Sequence, residues 1–304
     1  MAGNLDKPNQ SDQASRLRRM IARGGADAQA GSRTNIIAIA SGKGGVGKTM
    51  LASNLSISLA ARGHKVILFD MDLGLANADI VLGVEPRGTW SDVLSGRRQI
   101  SDVIIEGPGE IAFVPGASGL AHMADLSEFE RHQMMAAMEQ IESEYDVMIM
   151  DCGAGISTNV ISFAASADTL LVVSTPEPTS ITDAYATIKA MAHETSRQRR
   201  PDEPTAAVGV IVNLADSRKE GRDTYERLAE VSARFLHMPV TDYGYVLKDD
   251  HVGAAVRQRS PVVLRYPRCP ASTCVMASAA RLSREMGQPE AKKSLFYRVM
   301  NMFL

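Results

Sequence analysis

Eight consecutive residues, Gly42-Lys43-Gly44-Gly45-Val46-Gly47-Lys48-Thr49, have the types and spacing that hold a polyphosphate. Glycines let successive backbone N–H groups wrap an anion, and a helix opening at the loop adds the partial positive charge of its N-terminus. Lys48 supplies a cation for the β and γ phosphates, and Thr49 a hydroxyl for Mg²⁺. The octet follows the β-branched run 36–40 and precedes a helical stretch over 51–61, the strand–loop–helix context such a loop requires. The same residues also spell G-x-G-x-x-G, with Asp70 ending the next strand as in a dinucleotide site. That site has no use for Lys48-Thr49, whereas a triphosphate with its metal needs both. The chain is therefore expected to bind a nucleotide.

Further polar residues close apolar strands. The run 65–69 ends in Asp70-Met71-Asp72, the run 145–150 in Asp151-Cys152-Gly153, and the run 207–212 in Asn213. Ligands of an open parallel sheet gather at the carboxyl ends of its strands, so these side chains should converge on the glycine loop. One such Asp could simply cap the following helix; three polar strand ends are poorly explained that way. Asn213 admits two readings: its amide can match donor and acceptor on the edge of adenine, and asparagine also favours turns.

Positioning these groups requires strands alternating with helices. Strand candidates are 36–40, 65–69, 110–114, 145–150, 169–173 and 207–212, with helical stretches near 127–144, 180–193 and 222–236. Continuous apolar strands separated by helices predict an α/β, doubly wound, mostly parallel sheet with helices on both faces. With 304 residues, 45% of them hydrophobic, the chain can bury one substantial core. A formal net charge of −2 offers no general polyanion-binding surface, so direct nucleic-acid binding is not expected. Cys152, Cys269 and Cys274 form no C-x-x-C pair, which argues against a disulfide framework, a zinc site or an iron–sulfur cluster; the last two stand in a Pro- and Ser-containing turn. The sequence offers neither an apolar run of membrane-spanning length nor an N-terminal signal core, so the body is expected in the cytoplasm.

The octet resembles the deviant Walker A loop of the MinD/ParA class of P-loop ATPases, which place septa and partition plasmids. In that family the lysine at the position of Lys43 reaches across a dimer to the partner's nucleotide, where a cation in trans stabilises the transferring phosphoryl group. The resemblance implies ATP and Mg²⁺ as cofactors, Lys43, Lys48 and Asp72 as catalytic residues, and Asp72 in switch I orienting water. It gives Thr49 and Asp151 to the metal, Gly153 to the γ-phosphate, Asp70 to the loop and lysine network, and Asn213 to adenine. Met50 stands where the family usually has a second Thr, leaving its backbone N–H for the α-phosphate. Residues 245–250 resemble a second base-contacting loop, with Leu247 where the family usually has Pro.

Both ends of the chain refine this. Residues 1–34 form a polar tail, expected to be flexible, that contains Asp12-Gln13-Ala14-Ser15-Arg16-Leu17-Arg18. The heptad resembles an N-terminal element of the flagellar-number ATPases, the FlhG/FleN/YlxH family, which binds and stimulates an FlhF-type GTPase of the signal-recognition class; Asp12, Gln13, Ala14, Leu17 and Arg18 would make that contact. An ATPase domain is expected over 35–288. Residues 289–304 then place Leu295, Phe296, Val299, Met300 and Phe303 on one helical face, flanked by Lys292, Lys293 and Arg298. Such a stripe packs into a core or lies in an anionic membrane surface; the basic flanks and free end favour the membrane. The resemblance thus implies a homodimer with ATP, peripheral attachment to the inner face of the cell membrane, and control of flagellar number and placement. Flagellar C-ring proteins and a flagellar transcription activator are further candidate partners. The alternatives are a MinD-like septum-site or ParA-like partitioning ATPase, or a nonhydrolytic nucleotide-binding adaptor.

Overall fold

The structure, a computed structural model, describes residues 34–71, 77–116, 127–155, 161, 164–165, 167–198 and 206–286. Their strands are β1 (Asn35–Ser41), β2 (Val66–Met71), β3 (Ile105–Glu106), β4 (Ala112–Val114), β5 (Val147–Ala154), β6 (Thr169–Ser174), β7 (Ala207–Ala215) and β8 (Thr241–Leu247). They form one sheet in the order β3-β4-β2-β5-β1-β6-β7-β8, parallel throughout except for the β3–β4 pair. Every strand expected from the sequence is present, and the sheet is of the doubly wound type.

Both faces of the central strands are apolar because both are covered. On one face Ile36, Ala38, Phe69, Met148, Leu170 and Val210 enter a single core with Met138 and Ile141 of α5 (Glu128–Glu144), Ile188 and Met191 of α6 (Pro178–Gln198) and Leu228 of α7 (Arg218–Leu236). Their sequence neighbours Ile37, Ile39, Leu68, Ile149, Leu171 and Ile211 point the other way, as the two-residue strand period demands. These meet Leu51, Leu55 and Leu59 of α1 (Lys48–Ala60) and Val275, Ala279 and Leu282 of α10 (Pro270–Met286).

Helix α1 is buried nearly all round, so it lacks an amphipathic stripe. Three of its polar side chains bond within the helix: Asn54 Nδ2, Ser56 Oγ and Ser58 Oγ each donate to the carbonyl four residues back, at 2.7 Å, while Ser53 Oγ is buried with no hydrogen-bond partner among the described residues. Short helices complete the chain order: α2 (Ala78–Leu82), α3 (Trp90–Leu94), α4 (Ile100–Val103), α8 (Asp250–Arg257) and α9 (Val262–Arg265). Helix α5 begins where the sequence indicated, with a capping box in which Ser127 Oγ accepts from the Glu130 N–H while the Glu130 carboxylate accepts from the Ser127 N–H.

Two local readings change. Residues 245–247, read as part of a loop, are the end of strand β8, and the turn proper is Lys248-Asp249 before α8. Cys269 stands in the turn before α10, as expected, but Cys274 lies inside that helix, whose first residue is Pro270, where its missing N–H costs nothing. Among the described residues no helix is long and apolar enough to cross a membrane.

Candidate functional site

The glycine octet is the turn between β1 and α1, the central strand and the most buried helix. Gly47 caps the helix at φ 90°, a left-handed conformation that favours glycine, and a Cβ there would collide with the Asn213 amide nitrogen. Leu51 N–H makes the first helical bond, to Gly47 O at 3.0 Å. The amides of Lys48, Thr49 and Met50 therefore have no intrahelical acceptor and are available to an anion.

Gly44 and Gly45 are exposed, Val46 is buried in the α1 core, and Thr49 is half-buried. The Met50 side chain is also in that core, so position 50 offers a ligand only its backbone. A Cβ on Gly42 would strike the Asp183 carbonyl in α6, so glycine there lets α6 pack directly on the loop.

The expected strand-end residues come together. Asp70 and Asp151 are register partners across β2 and β5, and Ile39 of β1 pairs with Asp151 from the other side. Both carboxylates are buried. Asp70 Oδ2 accepts from Ala78 N–H at 3.3 Å, tying the start of α2 to the strand end. The β5 end, which includes Gly153, is clamped to the octet: Gly155 N–H donates to Ser41 O at 2.9 Å, and Ser41 Oγ donates to Lys43 O at 2.7 Å. On the other side Asn213 Nδ2 donates to Val46 O at 2.8 Å, and its Oδ1 is buried with no hydrogen-bond partner among the described residues. Asn213 thus touches the phosphate loop itself, a contact that its place at a strand end did not reveal.

The two lysines of the octet differ sharply. Lys48 is 8% exposed, and among the described residues its ammonium has no carboxylate partner. A buried cation without a counter-ion is costly, and a bound phosphate would supply one. Lys43 instead reaches outward to Glu177 Oε2 at 3.0 Å and Thr179 Oγ1 at 3.4 Å. Sequence reasoning missed Glu177, Thr179 and Asp183. The available signal was the strand end Ser174-Thr175-Pro176-Glu177, in line with the other polar strand ends.

The β8–α8 turn borders Asn213 through Lys248 N–H, which donates to Ala215 O at 2.9 Å. Burial raises the Asp249 carboxyl in this turn, but the N–H groups of Ala271 and His251 outweigh it and hold the carboxyl at about 2. Four groups of expected site residues lie outside the described residues: Asp72; Asp12, Gln13, Ala14 and Leu17; Arg16 and Arg18; and Leu295, Phe296, Val299, Met300 and Phe303.

The donor set suits a magnesium nucleotide: free loop amides, a buried ammonium with no carboxylate partner among the described residues, a hydroxyl at Thr49 and adjacent carboxylates at the strand ends. When bound, that group would bring the phosphoryl bond to be broken and a metal charge to neutralise its oxygens.

Known proteins resemble this chain. A family described as an AAA domain matches residues 34–199. The antiactivator FleN of Pseudomonas aeruginosa is 39% identical over 247 residues, 81% of this chain and 85% of its own. The flagellum site-determining protein YlxH of Helicobacter pylori is 38% identical over 199 residues, 66% of this chain and 64% of its own. Among solved structures, the septum site-determining protein MinD of Pyrococcus horikoshii, complexed with Mg-ADP, superposes with a TM-score of 0.67 at 25% identity, covering 84% of this chain and 98% of that one. The chain belongs to the MinD/ParA class of P-loop ATPases, in the group that holds the flagellar regulators FleN and YlxH.

Proposed function

We propose that the protein is an ATP-dependent, dimerising switch that regulates flagellar number and placement. The observation that carries this is the 39% identity to an antiactivator FleN across 81% of the chain. In this reading Mg-ATP sits on the octet, Lys48 and the loop amides hold its phosphates, and Thr49 and Asp151 hold the metal. Asp72 orients the attacking water, and Lys43 acts on the partner's nucleotide. ATP-driven pairing doubles the weak C-terminal anchors, so nucleotide state controls residence on the inner face of the membrane. The N-terminal heptad stimulates an FlhF-type GTPase.

A second reading, septum placement, draws support from the likeness to MinD structures. The two share the same hydrolytic site and differ in the client.

Slow, Mg-dependent release of phosphate from ATP is the expected activity. Asp72→Ala should lower it roughly 10²–10⁴-fold, the range for a lost acid–base group, with nucleotide binding retained. Hydrolysis by that variant at the native rate would remove Asp72 from the mechanism. Tight ATP binding without turnover in the native chain would leave only a nucleotide-binding adaptor.

A further inference from the structure

A second cluster of chemically competent side chains stands at the far end of β8. Asp249 ends the β8–α8 turn, His251 lies in the first turn of α8, and Cys269 directly precedes α10. Their oxygen, nitrogen and sulfur donors all lie within 4.8 Å of one another. A tetrahedral zinc ion separates its donors by roughly 3.5 Å, so closure requires shifts of about 1 Å. The side chain best able to supply them is His251, whose ring is 53% exposed.

The other two donors are already held. Asp249 Oδ1 accepts from His251 N–H at 3.0 Å and lies 2.8 Å from His251 Nδ1, while Oδ2 accepts from Ala271 N–H at 3.1 Å. The Cys269 thiol donates to Ser272 Oγ at 3.3 Å, and its sulfur accepts from Ser272 N–H at 3.4 Å. Tyr266 packs against the imidazole with ring centroids 4.7 Å apart. The Asp249 side chain is only 6% exposed and Cys269 is buried, so the cluster has a fixed floor and a solvent-facing side through which an ion can enter.

We propose that Asp249, His251 and Cys269 form a binding site for a borderline divalent cation of the zinc class. Carboxylate, imidazole and thiolate supply three positions and a water the fourth. Binding exchanges the thiol proton, released to solvent, for the metal; no electron changes hands. Thiolate and imidazole select against Mg²⁺, a hard ion that keeps oxygen ligands and water, so the nucleotide's metal does not compete here. The bound ion joins the β8–α8 turn to the start of α10, two segments that the chain separates by the whole α8–α9 hairpin. The absence of a C-x-x-C pair concealed this site, because its ligands are assembled by the fold and not by spacing.

Cobalt(II) is the probe, titrated into the chelator-stripped full-length chain under reducing, anaerobic conditions. One ion per chain should bind with a thiolate-to-cobalt charge-transfer band, be displaced by zinc, and be indifferent to excess Mg²⁺. Cys269→Ser should abolish the band. His251→Ala, an exposed substitution that leaves the Asp249 cap in place, should weaken binding at least about tenfold with the circular dichroism unchanged. Zinc at 100 times its Kd should shift the folding equilibrium of the native chain about 100-fold toward the folded state. No charge-transfer band in the native chain would overturn the proposal. So would a band that survives Cys269→Ser, or unaltered affinity in His251→Ala.

Discussion

Lys43 and Lys48 are five residues apart in one loop, yet their surroundings differ. Lys48 is buried where its own chain's phosphates would lie. The Lys43 ammonium faces solvent, paired with Glu177, with side chains 42% and 66% exposed. An exposed pair of this kind contributes only about 0.2–1 kcal/mol, less than a desolvated phosphate contact would return. On the proposed trans role of Lys43, Glu177 is too weak a partner to hold it back from a second nucleotide. The expected outcome is that ATP-loaded Asp72→Ala sediments as a dimer and the ADP form as a monomer. Adding Lys43→Ala should abolish the dimer while ATP binding stays within about a few-fold. A single species, independent of nucleotide, would remove the trans role of Lys43.

At the scale of elements, both faces of the sheet are closed by helices that end at or before Met286. Residues 287–304 lie outside the described residues. On the proposed reading of residues 291–304 as a membrane helix, removing them should leave a folded, ATP-binding protein whose melting temperature changes little, and abolish its co-sedimentation with anionic liposomes. Unfolding of the truncated chain would assign the Leu295–Phe303 stripe to the core instead. Strand β8 shows why the sequence was less legible here. Only Tyr243, Val246 and the preceding Val240 are buried in Val240–Leu247, and Gly244 sits at φ 109°. An edge strand needs to bury fewer side chains than a central one, so no apolar run marked it.

For the whole molecule, the sheet separates two ends. The nucleotide loop lies beyond the carboxyl end of β1, and the chain enters that strand at its other end. There Thr34 is buried, its Oγ donating to Tyr145 O at 2.6 Å. Residues 1–33 lie outside the described residues; on the proposed reading they act on a partner, so deleting them should leave the intrinsic ATPase rate unchanged. The same segment as a peptide should accelerate GTP hydrolysis by an FlhF-type GTPase. Its Gln13→Ala form should still bind but fail to stimulate, since an amide that orients water acts on turnover more than on affinity. A peptide that neither binds nor stimulates would return the choice to a septum-placing ATPase.

The sequence alone determined the fold class and the nucleotide loop, because both are written locally. Strands buried on two faces must be apolar throughout, and a phosphate cradle needs its glycines, lysine and hydroxyl within eight residues. Asp70, Asp151 and Asn213 were legible for a related reason: parallel strands all deliver their carboxyl ends to one side. Contacts between distant segments were decided only by tertiary structure. Glu177 meets Lys43 from 134 positions away, and Asn213 meets Val46 from 167. The Asp249–His251–Cys269 cluster likewise exists because α8 and α9 fold Cys269 back onto the β8 end. No spacing rule reports such meetings, since they depend on which helix covers which face of the sheet.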